Sequence, residues 1–184
     1  RHRECDELIA AEHPSYFKGF ILDQAKHVPD WIVKWLRNSF LEKSKKIDIK
    51  KNIFIDRSLS NFKNSQIINL EETQNLLKEK NFDMVKLENL SFDEQIYVFS
   101  NAKIVIGAHG AGLTNLCFSK EKTKVIEIRS SEPGYGFQNK VYERISKINN
   151  LNYRLLSTPY LSEKNLKGDL FVDIKVLNDQ LKDI

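Results

Sequence analysis

From residue 50 onward, short apolar runs rich in β-branched residues alternate with polar stretches of helical spacing, and this rhythm leaves few folds open. The runs "NIFIDR" (52–57), "FDMVKLE" (82–88), "KIVIGA" (103–108), "KVIEIR" (124–129) and "YRLLST" (153–158) predict strands. Between them, "NLEETQNLLKEKN", "SFDEQIYVFSNA" and the segment from Lys140 to Asn149 predict helices. Strands alternating with helices at this spacing predict an α/β fold, a parallel sheet with helices on both faces.

Two helix starts carry their own signals. Ser91 followed by Glu94 fits a capping box, and Asn69 precedes Glu71 and Glu72, which the helix dipole favours in a first turn. Phe92, Ile96 and Phe99 form one apolar stripe expected to face the sheet. Residues 1–50 read as a helical segment leading from a missing lobe. In it "HVPDWIVKWLRNSFLEK" places Trp31, Trp35 and Leu36 on one stripe, to pack at the sheet edge or bridge to that lobe. Residues 51–158 form the sheet domain, and 159–184 a tail ending in an amphipathic helix.

In an open parallel sheet, ligands bind outside the carboxyl ends of the strands, so the residues just after each strand matter most. They are Arg57 and Ser58, Glu88 and Asn89, His109 with its glycine loop, and Glu127 to Ser131. The third set carries the most information. "IVIGAHGAGLTN" (104–115) reads as a short strand over Ile104 to Ile106, a loop with Gly107, Gly110 and Gly112, and a helix start near Leu113. A helix start offers unpaired N–H groups and partial positive charge, so the loop is either a phosphate cradle or simply a tight crossover turn.

Arg57, His109 and the loop amides suit an anion; Glu88 or Glu127 suits ribose hydroxyls. Each has a plainer alternative: a surface ion pair for Arg57, a turn-fixing hydrogen bond for His109, a paired carboxylate for Glu127. A glutamate inside "VIEI" is costly to bury without a partner, which favours a role for it. The loop is G-x-x-G-x-G, not G-x-G-x-x-G; it lacks G-K-[ST], and it has histidine where a nucleophile elbow needs serine. Dinucleotide enzymes, P-loop NTPases and α/β-hydrolases are thereby demoted.

Composition trims the rest. At 184 residues, 41% hydrophobic and 29% charged, the chain is globular, and no apolar run approaches the roughly 20 residues of a membrane span. It begins with Arg1, as a fragment would. The net charge of +4 is mild, and "KSKKIDIKK" (43–51) reads as a solvated linker without the interleaved aromatics of a nucleic-acid site. Cys5 and Cys117 make no disulfide framework and suit a reducing compartment, while His2, His13 and His27 form no ligand pattern. No metal or cofactor is expected.

"NIFIDR", "IINLEE", "FDMVKLENLSFDEQIYVFSNAKIVIGAHGAGLTNLCF" and "KVIEI", taken in order, resemble the family 61 glycosyltransferases over roughly residues 29–130, with "HVPDWIVKWLRNSF" upstream. The resemblance implies a GT-B architecture of two Rossmann-like lobes, of which this chain is the C-terminal, donor-binding one. The N-terminal lobe of the same protein would be its partner. It also implies metal-independent inversion, with transfer from a nucleoside diphosphate sugar, expected to be UDP-linked, to a glycan acceptor.

Carried over residue by residue, Arg57 matches the arginine ending the first strand and Asn69 the asparagine opening the next helix. His109, Gly110, Ala111, Gly112, Leu113, Thr114 and Asn115 match the signature loop, and Glu127 the glutamate of the next strand. Gln66, with Lys63 nearby, stands where members often carry a second basic residue. Preorganised N–H groups with Arg57 and His109 would stabilise charge growing on a leaving diphosphate, which makes His109 the catalytic candidate. The context expected is bacterial capsular or other surface polysaccharide synthesis in the cytoplasm; plant and animal relatives would work in the Golgi or endoplasmic reticulum. A non-catalytic nucleotide-sugar binding module is the alternative, and a nucleic-acid binder ranks last.

Overall fold

The computed structural model describes residues 28–60, 66–130, 140–158 and 169–182. The five apolar runs form one sheet: β1 (Asn52–Ile55), β2 (Asp83–Val85), β3 (Ile104–Ala108), β4 (Lys124–Ser130) and β5 (Asn152–Thr158), every pairing parallel. The helices are α1 (Asp30–Phe40), α2 (Leu70–Glu79), α3 (Phe92–Asn101), α4 (Val141–Ile148) and α5 (Ile174–Lys182). A 3-10 turn spans Leu87–Asn89 and a 3-10 helix Ala111–Phe118. This is the Rossmann-like α/β arrangement the strand and helix rhythm predicts.

Alternation along the strands divides the core in two. Ile53, Ile55, Val105 and Val125 face one layer, with Ile96, Phe99, Leu113, Leu116, Tyr142 and Ile145. Phe54, Ile106, Ile126 and Ile128 face the other, with Leu77, Leu170, Val172 and Leu177. Burying such a side chain stabilises by about 1.5–3 kcal/mol, so the near-continuous apolar strands are what a sheet covered on both faces requires. The tail belongs to the second core: Leu170 bridges to Ile67, and α5 packs beside α2.

One expectation is corrected and two gain detail. Phe92 does not face the sheet. It lies 48% exposed at the first turn of α3 and meets the rings of Phe40 and Phe118 edge-on, while Ile96 and Phe99 are fully buried. On α1 the inward stripe is Val33, Leu36 and Phe40, so of the stripe expected there only Leu36 packs on the first core, and Trp31 and Trp35 are more than half exposed. The lysines of the 43–51 run are exposed, as a solvated stretch requires, while Ile47 and Ile49 anchor it to the first core, Lys45 pairs with Glu94 and Lys50 with Asp83.

The strand order is β2-β1-β3-β4-β5. The chain steps one way from β1 to β2 and the other way to β3, so the topological switch lies between β1 and β3. A crevice opens there because the crossovers on either side depart to opposite faces. Ile55 is in register with Gly107, which brings the residues after each strand together.

Candidate functional site

After β1 the chain turns sharply. The buried Asp56 accepts from the Ser58 N–H and Gln74 Nε2 and lies near Lys86 Nζ, an anchor that aims Arg57 across the switch point. Arg57 Nη1 donates to the His109 carbonyl at 2.6 Å. Burial lowers the guanidinium from its usual value, against the opposing influence of Tyr142 and Glu88, and an arginine so placed stays charged.

The glycines of the loop have steric rather than torsional reasons. A Cβ on Gly110 would stand 2.6 Å from Arg57 Nη1 and 2.7 Å from its Cζ, so only glycine lets the guanidinium lie across the loop. A Cβ on Gly112 would come within 2.8 Å of Leu87 Cδ1. The amides of Gly110, Ala111 and Gly112 open the 3-10 helix, where no preceding turn supplies them a carbonyl, and the Arg57 guanidinium lies beside them. The helix begins at Ala111, earlier than expected and with 3-10 rather than α geometry.

His109 is anchored at both ends. Its N–H donates to the Ile128 carbonyl, and ring Nδ1 lies 2.5 Å from Glu127 Oε1. The other carboxylate oxygen accepts from Tyr153 Oη at 2.5 Å, with Arg129 Nη1 4.0 Å from Oε1. Glu127 is fully buried, on the β4 face where Val125 is core. Its carboxylate favours a proton on Nδ1 and leaves Nε2 as the ring nitrogen for a ligand. Burial, then the charge of Glu127, pushes the Tyr153 hydroxyl well above its usual range, so it remains a neutral donor. Tyr142, raised by burial to about 12, stands 5.1 Å from the imidazole, and Thr114 bonds its hydroxyl.

In front of the loop lies a cleft of about 370 Å³ whose walls include Arg57, Leu87, Glu88, Gln95, Gly112 and Asn115. Gln95 donates to the carbonyls of Leu87 and Leu90 and accepts from Asn115 Nδ2, tying three elements into one wall. Charge at one end, orphan amides beneath and an apolar flank together suit an anion joined to a flatter group.

The sequence model of Glycosyltransferase 61 matches residues 9–126. The chain belongs to glycosyltransferase family 61. It is 36% identical over 70 residues to a beta-1,2-xylosyltransferase of Arabidopsis thaliana, covering 38% of this chain and 12% of that protein. A beta-1,2-xylosyltransferase of Oryza sativa subsp. japonica is 37% identical over 71 residues, 39% of this chain and 13% of the relative. An EGF domain-specific O-linked N-acetylglucosamine transferase of Gallus gallus is 30% identical over 89 residues, 48% of this chain and 16% of the relative. The matches thus span less than a fifth of these relatives' length. Among the described residues, no helix is long and apolar enough to cross a membrane.

In this family 61 domain the sequence-predicted residues divide into groups. Arg57, His109, Gly110, Ala111, Gly112, Thr114 and Asn115 converge at the switch point, with Glu88 exposed on the cleft rim, on the 3-10 turn beyond β2. Three sit where direct contact is closed to them. Glu127 is sealed beneath His109, beyond reach of a ribose. Leu113 is 1% exposed in the core because the 3-10 turn points it inward. Asn69 clasps the tail, its amide donating to the Val172 carbonyl and accepting from the Val172 N–H. Gln66 pairs through its backbone with Leu170, and Lys63, Cys5 and the other three histidines lie outside the described residues. Cys117 is a buried thiol pushed up to about 12 and is chemically quiet.

Sequence reasoning missed Asp56, Gln95, Tyr142 and Tyr153. Asp56, inside "IDR", carried a faint signal as a carboxylate closing an apolar strand. Nothing local marks the tyrosines, which reach the site only through tertiary packing.

Proposed function

We propose that this domain is the donor-binding half of an inverting glycosyltransferase that takes a sugar from a nucleoside diphosphate sugar, UDP-linked, to a glycan acceptor. The observation that carries the proposal is Arg57 laid across Gly110 at the mouth of the Gly110–Gly112 amides. The diphosphate sits on those amides beside Arg57, and the nucleoside extends along the cleft, its ribose hydroxyls within reach of Glu88. As the bond to the anomeric carbon breaks, charge grows on the departing phosphate. Donors held in place before the reaction stabilise that charge more than the ground state. His109 Nε2, when it carries a proton, adds a donor at the same oxygen, and Glu127 with Tyr153 holds the ring in position. Inversion places the acceptor hydroxyl and its base on the opposite side of the sugar, outside this cluster. The relatives' names, xylosyl- and N-acetylglucosamine transferases, support a neutral sugar as cargo.

Calorimetric titration with UDP, GDP and UDP-sugars tests the proposal. One nucleotide is expected to bind saturably, and Arg57→Ala and His109→Ala each to weaken it at least tenfold. Binding unchanged by both substitutions would refute it. Saturable binding with no transfer by the complete protein would favour the non-catalytic module instead.

A further inference from the structure

The amino ends of the strands, opposite the donor cleft, hold a second and larger cavity. Its volume is about 510 Å³, and its walls include Lys51, Lys103, Lys120, Lys122, Lys124 and Glu121. Five lysines against one glutamate make a net charge of +4, which is the net charge of the whole chain. Helix carboxyl ends, which favour a cation or two, also gather at this end of a parallel sheet, but five ammonium groups exceed that need.

The lysines rise from ordered backbone. Lys51 and Lys103 precede Asn52 and Ile104, which pair across adjacent parallel strands. The Lys103 N–H donates to the Lys51 carbonyl at 2.6 Å, and the Lys124 N–H to the Lys103 carbonyl at 2.9 Å. Like charges on neighbouring strands repel and destabilise the sheet. Lys122 occupies a left-handed conformation, φ 65°, held by its N–H bond to the Asn150 carbonyl. Glycine adopts that conformation more readily, yet a charged side chain stands there. Among the described residues, Lys51, Lys103, Lys120 and Lys122 have no carboxylate partner. A cluster that costs stability in the empty protein is expected where binding an anion offsets the repulsion.

We propose that this lysine cavity is a second anion site, separate from the donor cleft, which takes a compact, multiply charged phosphate group, either a lipid headgroup or a soluble oligophosphate. Lysine binds phosphate as a point charge without demanding one bidentate geometry, and several converging from different elements suit an anion of more than one charge.

The test uses the Arg57→Ala chain, so that the donor cleft does not contribute. Calorimetry with inorganic tripolyphosphate at about 0.15 M salt is expected to show one saturable site, and the anion is expected to raise the thermal midpoint. Adding Lys51→Gln, Lys103→Gln and Lys122→Gln together is expected to weaken binding more than tenfold and, without ligand at low salt, to raise the midpoint. The corresponding Lys→Arg triple is expected to retain binding. In a second arm, flotation with phosphatidylglycerol vesicles, against phosphatidylcholine, that depends on the same lysines assigns the lipid source; tripolyphosphate binding alone assigns the soluble one. The proposal is overturned if neither probe binds, if the Gln triple binds as its parent does, or if the Arg triple fails to restore binding.

Discussion

At the scale of single residues, the site rests on a few exclusions of volume and a few anchored atoms. Gly110 is needed because Arg57 lies on it, so Gly110→Ala displaces the guanidinium, the mobile end of a long side chain, and leaves the fold alone. Nucleotide affinity is expected to fall about as far as in Arg57→Ala, with thermal midpoints of both variants within a few degrees of the parent; calorimetry and thermal melts check this. Glu127→Gln keeps the volume but removes the charge that favours a proton on His109 Nδ1. Imidazole 15N spectra are expected to show the Nδ1-protonated tautomer giving way to a mixture. In the complete enzyme kcat is expected to fall roughly 10- to 100-fold while nucleotide affinity holds, the pattern of a positioning residue. The chemical identities of Arg57, His109 and Glu127 were legible in the sequence. That Glu127 lies buried beneath His109 required the register of β4 beside β3.

At the scale of elements, the capping box of α3 was fully legible, because it is written in four consecutive residues. Ser91 Oγ accepts from the Glu94 N–H, and Glu94 Oε2 accepts from the Ser91 N–H. The backbone bond from Ser91 and the Lys45 ammonium hold the Glu94 carboxyl at about 2, below its usual 4.5. A carboxyl lowered on folding stabilises above its unfolded value, and that contribution disappears as pH falls from about 4.5 to about 2. Denaturant melts across this window are therefore expected to show a loss of stability that Glu94→Gln makes shallower. The stripes of α1 and α3 were legible only in part. Periodicity identifies an apolar face, but Phe92 and the two tryptophans show that the neighbour covering it is chosen by tertiary packing.

At the scale of the whole molecule, two cores share one sheet, and the second depends on the tail. Leu177 is fully buried against a layer that includes Leu77 and Phe54. Leu177→Ala is expected to cost about 2–5 kcal/mol in urea unfolding, as for other buried leucines, and a cost below 1 kcal/mol would show the tail to be dispensable. Local pattern alone determined which segments are strands and helices, that the sheet is parallel, and which loop is rich enough in glycine to turn tightly at a strand end, because alternation, capping and glycine spacing act within a few residues. The tertiary structure decided the strand order and hence the switch point. It also decided the meeting of Arg57 with Gly110 across 53 positions of sequence, the burial of Glu127 between His109 and Tyr153, and the pooling of positive charge at the far end of the sheet. Those contacts join residues far apart in the chain, and they depend on how the layers pack, which short-range pattern does not encode.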